Sequence, residues 1–144
     1  LMGEQLRLAQ VEVETNFDDD LPLVMGHQIQ LEQMFINLYS NAFHAIKKSD
    51  SKERTILIEA FKSREGEATI RVSDTGGGIP DSVLPNIFDP FYTTKSIEEG
   101  TGLGLSVSYG FVLAMGGTIA ASNTKLGVFF EIKIPPAIGD GISN

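Results

Sequence analysis

The sequence of 144 residues contains no cysteine, which excludes disulfides and thiolate metal sites and fits a reducing compartment. It has no apolar run long enough to span a bilayer and no start of the signal-peptide kind. Positive charge is scarce: the net charge is −8, and Lys95 is the only Lys or Arg between Arg71 and Lys125. Because binding to a phosphate backbone needs clustered Lys and Arg, nucleic acid is not an expected partner. These features fit a cytoplasmic domain without direct membrane contact, and they leave open a membrane anchor elsewhere in the parent protein.

Glycine, by contrast, is concentrated in one part of the chain. Nine of the 15 glycines lie between Gly76 and Gly117, in the same stretch that is short of positive charge. An anionic ligand bound there would need a metal ion, a single well-placed lysine or a helix N-terminus. The length and a hydrophobic fraction of 42% predict one compact domain over residues 1–135, with a loosely ordered tail over 136–144.

Hydrophobic periodicity predicts three helices and five strands. The helices are expected to end near residue 10 and to cover 28–48 and 102–115, and the strands to cover 11–15, 54–62, 67–74, 118–123 and 128–134. Residues 75–101 are irregular, and so long a segment without regular structure in a compact domain is usually functional. This order of elements predicts an α+β fold, a two-layer α/β sandwich whose mixed sheet is covered on one face by helices.

The predicted helix over 28–48 carries a narrow polar stripe. Its members recur at spacings of three or four residues: Gln30, Gln33, Asn37, Asn41, His44 and Lys48. Most other positions are apolar, which predicts a helix buried around most of its circumference. A buried polar stripe must face a cavity or a ligand, since unpaired amides are costly, and Asn41 offers a hard oxygen ligand for magnesium. A solvent-facing stripe on an ordinary amphipathic helix explains the same pattern.

A glycine-rich segment, Asp74 to Pro80, follows directly on a predicted strand. Three consecutive glycines allow the backbone to approach a flat ligand closely, without interference from a Cβ atom. An ionised Asp74 only accepts hydrogen bonds, so it can bind the exocyclic amino group of adenine but opposes the carbonyl of guanine. The alternative is a plain turn capped by the aspartate, although three glycines exceed what a turn needs.

Two further segments complete the irregular region. Gly100 to Leu105 precedes a predicted helix, where exposed N–H groups and the positive helix end suit a polyphosphate, although the spacing is neither that of a Rossmann motif nor that of a P-loop. Ile87 to Lys95 carries Phe88 and Phe91, which can pin a mobile loop to the body of the domain, and Lys95, which can reach phosphates. A solvated surface loop with two buried aromatics explains the second segment equally well.

Together, the four segments resemble the catalytic ATP-binding domain of sensor histidine kinases, within the wider superfamily of gyrase, heat-shock chaperones and mismatch-repair proteins. Residues 37–42 resemble its asparagine box, 74–78 its aspartate-glycine box, 88–95 its phenylalanine box and ATP lid, and 100–105 its second glycine box. The order and spacing match, and the resemblance spans roughly residues 1–135. It implies the Bergerat ATP-binding fold, with a mostly antiparallel sheet, and ATP and Mg²⁺ as ligands.

The resemblance also implies individual roles. Asn41 would coordinate magnesium, Asp74 would bind adenine, and Thr94 and Lys95 would cover the phosphates. The implied catalytic residues are Asn37, Asn41 and Lys95. The implied nucleotide-binding residues are Asn41, His44, Ala45, Asp74, Gly76, Gly78, Ile79, Thr94, Lys95, Gly100, Thr101, Gly102, Leu103, Gly104 and Leu105.

The chain departs from the family pattern at two positions. His44 stands where many relatives carry a basic residue that contacts phosphate, and a neutral imidazole replaces it only in part. His27 stands where relatives often carry aspartate. We expect both departures to tune ATP binding rather than abolish it.

Position 37 separates the kinases from the hydrolases of this superfamily. The ATP-hydrolysing and serine-directed relatives carry a glutamate base there, whereas this chain carries Asn37, and an amide cannot take a proton from water or serine. A histidine acceptor needs no base because a neutral imidazole nitrogen is already nucleophilic. The residue therefore favours phosphoryl transfer to histidine, with catalysis resting on positioning and charge stabilisation.

No acceptor histidine is recognisable in the sequence. His27 precedes Gln-Ile-Gln and His44 precedes Ala-Ile-Lys, neither of which resembles the acceptor motif of the family. The expected partners are a histidine-bearing dimerisation domain of the same kinase and the receiver domain of a response regulator, and the isolated chain is expected to be largely monomeric. A non-catalytic ATP-binding regulatory module is the alternative, and an ATP hydrolase is the third reading.

Overall fold

The computed structural model describes residues 3–18, 28–88 and 104–136. The described elements are α1 (Gly3–Ala9), β1 (Glu12–Phe17), α2 (Gln28–Lys48), β2 (Thr55–Lys62), β3 (Ala68–Asp74), α3 (Gly104–Ala114), β4 (Thr118–Asn123) and β5 (Val128–Ile134), with a 3-10 turn at Leu84–Asn86. The predicted elements are confirmed to within two residues at each end that the structure describes. The predicted tail over 136–144 lies outside the described residues except for its first position.

The five strands form one sheet in the order β1-β2-β3-β5-β4. The β1–β2 pair is parallel, and the three other pairs are antiparallel. The predicted mixed, mostly antiparallel sheet is therefore confirmed. β3 lies at its centre, with Asp74 as its last residue opposite Val128 of β5, so the aspartate stands at the end of the most enclosed strand.

The core lies between the sheet and helices α2 and α3. The alternation predicted for β5 is confirmed, because Val128, Phe130, Ile132 and Ile134 are all buried. Opposite them, α2 buries Met34, Leu38, Ala42 and Ile46, which recur every four residues and so share one face. This face holds α2 against the sheet, and its orientation determines where the polar stripe points.

The prediction that α2 is buried around most of its circumference is wrong. Ile36 is 55% exposed and Phe35 is 36% exposed, although both were expected to be buried. In a two-layer fold a helix contacts the sheet on one side and its neighbouring helix on another, so its outward side remains in solvent. Single apolar side chains that are exposed to solvent, such as these two, are common on the surfaces of folded proteins.

Helix α3 ends at the two glycines that the sequence indicated as its stop. Gly116 has φ +76°, a left-handed conformation that residues with a side chain rarely adopt. The N–H of Gly117 then donates to the carbonyl of Val112 at 2.9 Å, which closes the last turn in the manner of a Schellman cap. The chain is thereby turned directly into β4.

On the face of the sheet away from the helices, the guanidinium of Arg71 contacts side chains of two neighbouring strands. Arg71 lies over the rings of Phe61 and Phe129, with its central carbon 5.3 and 5.2 Å from their centroids. It also forms an ion pair with Glu131 on β5. These contacts join β2, β3 and β5 across the outer face and leave the helix-covered face to the core and the site.

Candidate functional site

The glycine-rich loop after β3 packs directly against α2. A Cβ atom on Gly76 would lie 2.6 Å from the carbonyl carbon of Ala45 and 2.7 Å from the amide nitrogen of Ile46. Both are backbone atoms, which cannot rotate out of the way. Glycine is therefore required at position 76 by the contact with the helix, and this contact brings the aspartate-glycine segment beside the polar stripe of α2.

Asp74 is a buried carboxylate in this loop, with 4% of its surface exposed. The N–H of Gly76 donates to its Oδ1 at 2.9 Å. Burial raises the pKa of the Asp74 carboxyl to about 6, against the lowering effect of hydrogen bonds from the backbone of Gly76 and Val128. A carboxylate kept in so dry a position is suited to select a ligand that donates a hydrogen bond.

The turn between β4 and β5 supports the same loop from the other side. The N–H of Gly77 donates to the carbonyl of Leu126 at 3.1 Å. The side chain of Asn123 is hydrogen-bonded to both the N–H and the carbonyl of Ile79, at 2.8 Å each. Asn123 is not among the residues that the sequence predicts for the site, since a contact across 44 residues leaves no periodic signal.

Asn37 connects α2 to α3. Its Nδ2 donates to Oγ of Ser108 at 3.3 Å, and its Oδ1 accepts from Nε2 of Gln33 at 3.0 Å. Ser108 is completely buried, one turn into α3 from Gly104. The asparagine of the predicted catalytic set is therefore held between the two helices, and Ser108 is a second contact residue that the sequence pattern does not indicate.

Asn41 lies on α2 between two contacts, one of the helix with α3 and one of the helix with the glycine-rich loop. It is four residues after Asn37, where α3 packs, and four residues before Ala45, where the glycine loop packs. Four residues of helix correspond to about 6 Å of rise and to nearly the same face. Asn41 is half-buried and, like Asn37, has polar interactions within the domain. Its amide oxygen is a hard donor of the kind that magnesium accepts.

His44 is one turn further along the same face. Its Nδ1 lies 2.8 Å from the carbonyl oxygen of Ser40. A carbonyl oxygen only accepts, so Nδ1 carries a proton in this hydrogen bond and Nε2 is the nitrogen that remains for a ligand. The ring of Phe43 meets the imidazole edge-on at 5.6 Å between centroids, which helps to fix its orientation.

The structure thus brings together the α2 members of the predicted site (Asn37, Asn41, His44, Ala45) and the loop members (Asp74, Gly76, Gly78, Ile79). Gly104 begins α3, and Leu105 packs against the core. The remaining predicted site residues, Thr94, Lys95, Gly100, Thr101, Gly102 and Leu103, lie outside the described residues.

Of the two aromatics predicted to pin the lid, the structure describes Phe88. Its ring stacks on Tyr109 of α3 at 5.5 Å and meets Phe130 of β5 edge-on at 6.2 Å between centroids. The predicted anchoring of this segment to the body of the domain is therefore confirmed at Phe88. Phe91 lies outside the described residues, as does the rest of the lid over 88–95 apart from Phe88.

Residues 26–138 match the family described as the histidine kinase-, DNA gyrase B- and HSP90-like ATPases. The two-component sensor PprA of Pseudomonas aeruginosa is 42% identical over 139 residues, which cover 95% of this chain and 15% of that protein. The sensor protein FixL of Bradyrhizobium diazoefficiens is 34% identical over 128 residues, which cover 88% of this chain and 25% of that protein. The chain therefore spans a quarter or less of these two relatives.

Solved structures show the same relationship. The nucleotide-free catalytic domain of histidine kinase ThkA matches with a TM-score of 0.78 and 29% identity, over 93% of this chain and 84% of that one. Full-length ShkA, in complex with AMPPNP, matches with a TM-score of 0.77 and 25% identity, over 93% of this chain and 27% of that one. The chain belongs to the family of histidine kinase-, DNA gyrase B- and HSP90-like ATPases, as an ATP-binding catalytic domain of the sensor histidine kinase type.

Proposed function

We propose that this domain binds Mg-ATP and donates the γ-phosphoryl group to a histidine on a dimerisation domain outside this chain, which would then serve a response-regulator receiver domain. The observation that carries the proposal is the buried carboxylate of Asp74, in a loop packed against α2 next to Asn41 and His44.

Such a domain needs ATP, and its proposed location is therefore the cytoplasm. No helix within the described residues is long and apolar enough to cross a membrane.

In this proposal the nucleotide lies along α2. Asp74 accepts a hydrogen bond from the amino group of adenine, beside the contact of Gly76 with Ala45. The phosphates extend towards the start of α3 at Gly104, where the N-terminal end of a helix attracts anions. Asn41, between the contacts of α2 with α3 and with the glycine-rich loop, would hold Mg²⁺, which neutralises charge on the transferring phosphoryl group. Thr94 and Lys95 would cover the phosphates.

The contacts of Asn37 support transfer to histidine rather than hydrolysis. Both ends of its amide take part in the network between Gln33 and Ser108, and an amide is no base in any case. Activation of water or of a serine hydroxyl needs a base at this point. A neutral imidazole acceptor does not, so positioning and electrostatics suffice for the reaction.

A calorimetric titration followed by a transfer assay tests the proposal. The chain is titrated with ATP, ADP and GTP, in magnesium and in chelator, and is then mixed with a separately produced histidine-bearing dimerisation domain. We expect binding selective for adenine, ATP binding weakened by chelator, and an acid-labile phosphohistidine on the added domain. Tight binding without transfer would favour a regulatory module, and steady phosphate release without an acceptor would favour a hydrolase.

His44 provides a test of where the phosphates lie. With Nδ1 donating to the carbonyl of Ser40, a neutral ring offers a phosphate only the acceptor Nε2, and phosphate oxygens are themselves acceptors. His44→Arg supplies a fixed cation at this half-buried position, and we expect ATP affinity to rise about fivefold at pH 8, the size of one modest ionic contact. Adenosine, which lacks phosphates, is the control ligand and should bind both forms equally. A gain shared by adenosine, or no gain for ATP, would place the phosphates elsewhere.

A further inference from the structure

Asn123, the last residue of β4, forms two hydrogen bonds that clamp the glycine-rich loop after β3, here called the nucleotide loop (residues 75–79). Its Oδ1 accepts from the N–H of Ile79 at 2.8 Å, and its Nδ2 donates to the carbonyl of the same residue at 2.8 Å. A carboxamide is planar and carries one donor and one acceptor side by side, so it matches one backbone residue in the way that a neighbouring strand would. The clamp fixes both position and orientation of the chain at Ile79.

The absence of a side chain at Gly78 leaves the space that the carboxamide of Asn123 occupies. A Cβ atom at position 78 would lie 2.8 Å from Oδ1 and 3.2 Å from Cγ of Asn123. The backbone at Gly78 does not have positive φ, so conformational strain is not what requires glycine there. The expected role of Gly78, a close approach to the nucleotide, therefore has a competing explanation, which is room for the side chain of Asn123.

The loop is held at three points, two of them supplied by the β4–β5 hairpin. Gly76 contacts α2, the N–H of Gly77 donates to Leu126, and Ile79 is held by Asn123. Asn123 is exposed, so its role does not come from filling the core. Removal of the clamp leaves the first two points and releases the far end of the loop, which the ligand must then order on binding.

We propose that Asn123 is a positioning residue for adenine recognition: it holds the loop that follows Asp74 in its binding shape before the nucleotide arrives. This inference rests on the proposed ATP-binding function. It assigns to the β4–β5 hairpin a part in nucleotide affinity, and it assigns Gly78 to the contact with Asn123 rather than to contact with the ligand.

The test is a double-mutant cycle with ADP affinity as the readout. We expect Asn123→Ala to weaken ADP binding about tenfold, as expected for a preorganised loop that becomes free. Gly78→Ala should weaken it similarly, because the new methyl group displaces the carboxamide. In the double variant, the methyl group occupies vacated space, so the loss should not exceed that of the larger single variant. Equal effects of Gly78→Ala in both backgrounds would show that Gly78 faces the nucleotide, and would overturn the assignment.

Two further variants separate positioning from mere stability. Asn16→Ala removes an exposed asparagine from β1, at the opposite edge of the sheet, and should leave ADP affinity unchanged. Asn123→Asp keeps the shape of the side chain but sets an oxygen against the carbonyl of Ile79, so it should also weaken ADP binding. In Asn123→Ala, hydrogen exchange at the N–H of Ile79 should accelerate in the absence of nucleotide.

Unchanged ADP affinity in Asn123→Ala would overturn this inference alone. Failure of the folded wild-type chain to bind ADP would overturn both the proposed function and the inference.

Discussion

Asp74→Asn is expected to stabilise the nucleotide-free domain and to destroy its preference for adenine. Burial raises the pKa of this carboxyl from 3.8 to about 6, so the folded protein resists ionisation of Asp74 while the unfolded chain does not. Well below pH 3.8 the group is protonated in both the folded and the unfolded state, and the penalty vanishes. Between that pH and 6 the unfolded chain ionises first, and above pH 6 the full penalty of about 3 kcal/mol applies. Asparagine carries no charge and avoids it.

The same substitution should weaken ATP binding by about 10- to 150-fold, the value of a hydrogen bond to a charged acceptor. Urea unfolding at pH 7.5 and at pH 3.5 measures the first effect, which should be large at the higher pH and nearly absent at the lower. Titration with ATP and GTP measures the second. In the wild type, ATP affinity should also fall as the pH drops below about 6, because a protonated Asp74 no longer offers only acceptors.

Asp81→Asn is the matched control for both measurements. It removes a carboxylate of the same type from the same part of the chain, at an exposed position in the turn after the glycine loop. We expect neither unfolding free energy nor nucleotide affinity to change by more than about 0.5 kcal/mol, as is usual for surface substitutions. An Asp74→Asn domain that retained ATP selectivity, or that was no more stable at pH 7.5, would show that Asp74 only caps its own loop.

Gly76→Ala is expected to cost both stability and binding. The added methyl group would meet the backbone of Ala45 and Ile46 at 2.6–2.8 Å, so either the loop or α2 must move. Overpacking of this kind costs about 1–3 kcal/mol of unfolding free energy. Because displacement of the loop also carries Asp74 away from α2, we expect ATP affinity to be lost along with the stability.

Gly110→Ala offers the opposite outcome from the same chemical change. Gly110 lies inside α3, and a Cβ there meets no atom within 4 Å. Alanine in a helix interior stabilises by about 0.5–1 kcal/mol relative to glycine, so this variant should become more stable and bind ATP normally. Urea unfolding and ADP titration of the two variants side by side make the test. Equal stability of Gly76→Ala and Gly110→Ala would contradict the close contact with α2.

The parts of the fold that could be predicted are those with a local signal. The alternation in β5 and the stripe on α2 follow from the periods of strand and helix, and Gly116 stops α3 through its own backbone conformation. The family was recognisable because four short segments recur in one order along the chain. Each of these signals lies within a few neighbouring residues.

The remainder depends on contacts between distant residues. The placement of β5 between β3 and β4, the exposure of Ile36 and the pairing of Asn123 with Ile79 follow from which surfaces meet. Gly78 shows the difficulty best: its glycine is visible in the sequence, but the carboxamide that it accommodates is not. The roles of the predicted site residues as ligands of ATP and Mg²⁺ stay predictions, to be decided by the titrations.

The support of the nucleotide loop by the β4–β5 hairpin limits where this domain can be cut, tagged or permuted. An exposed hairpin turn is ordinarily a good place for an inserted peptide or for new chain ends, and residues 124–126 are all exposed. Here, however, Leu126 and the flanking Asn123 hold the loop after Asp74, so a longer turn would loosen it. The β2–β3 turn at Glu65 is also exposed and lies at the opposite end of β3 from Asp74. A fluorescent label or a split site placed there would report on the domain without disturbing the loop.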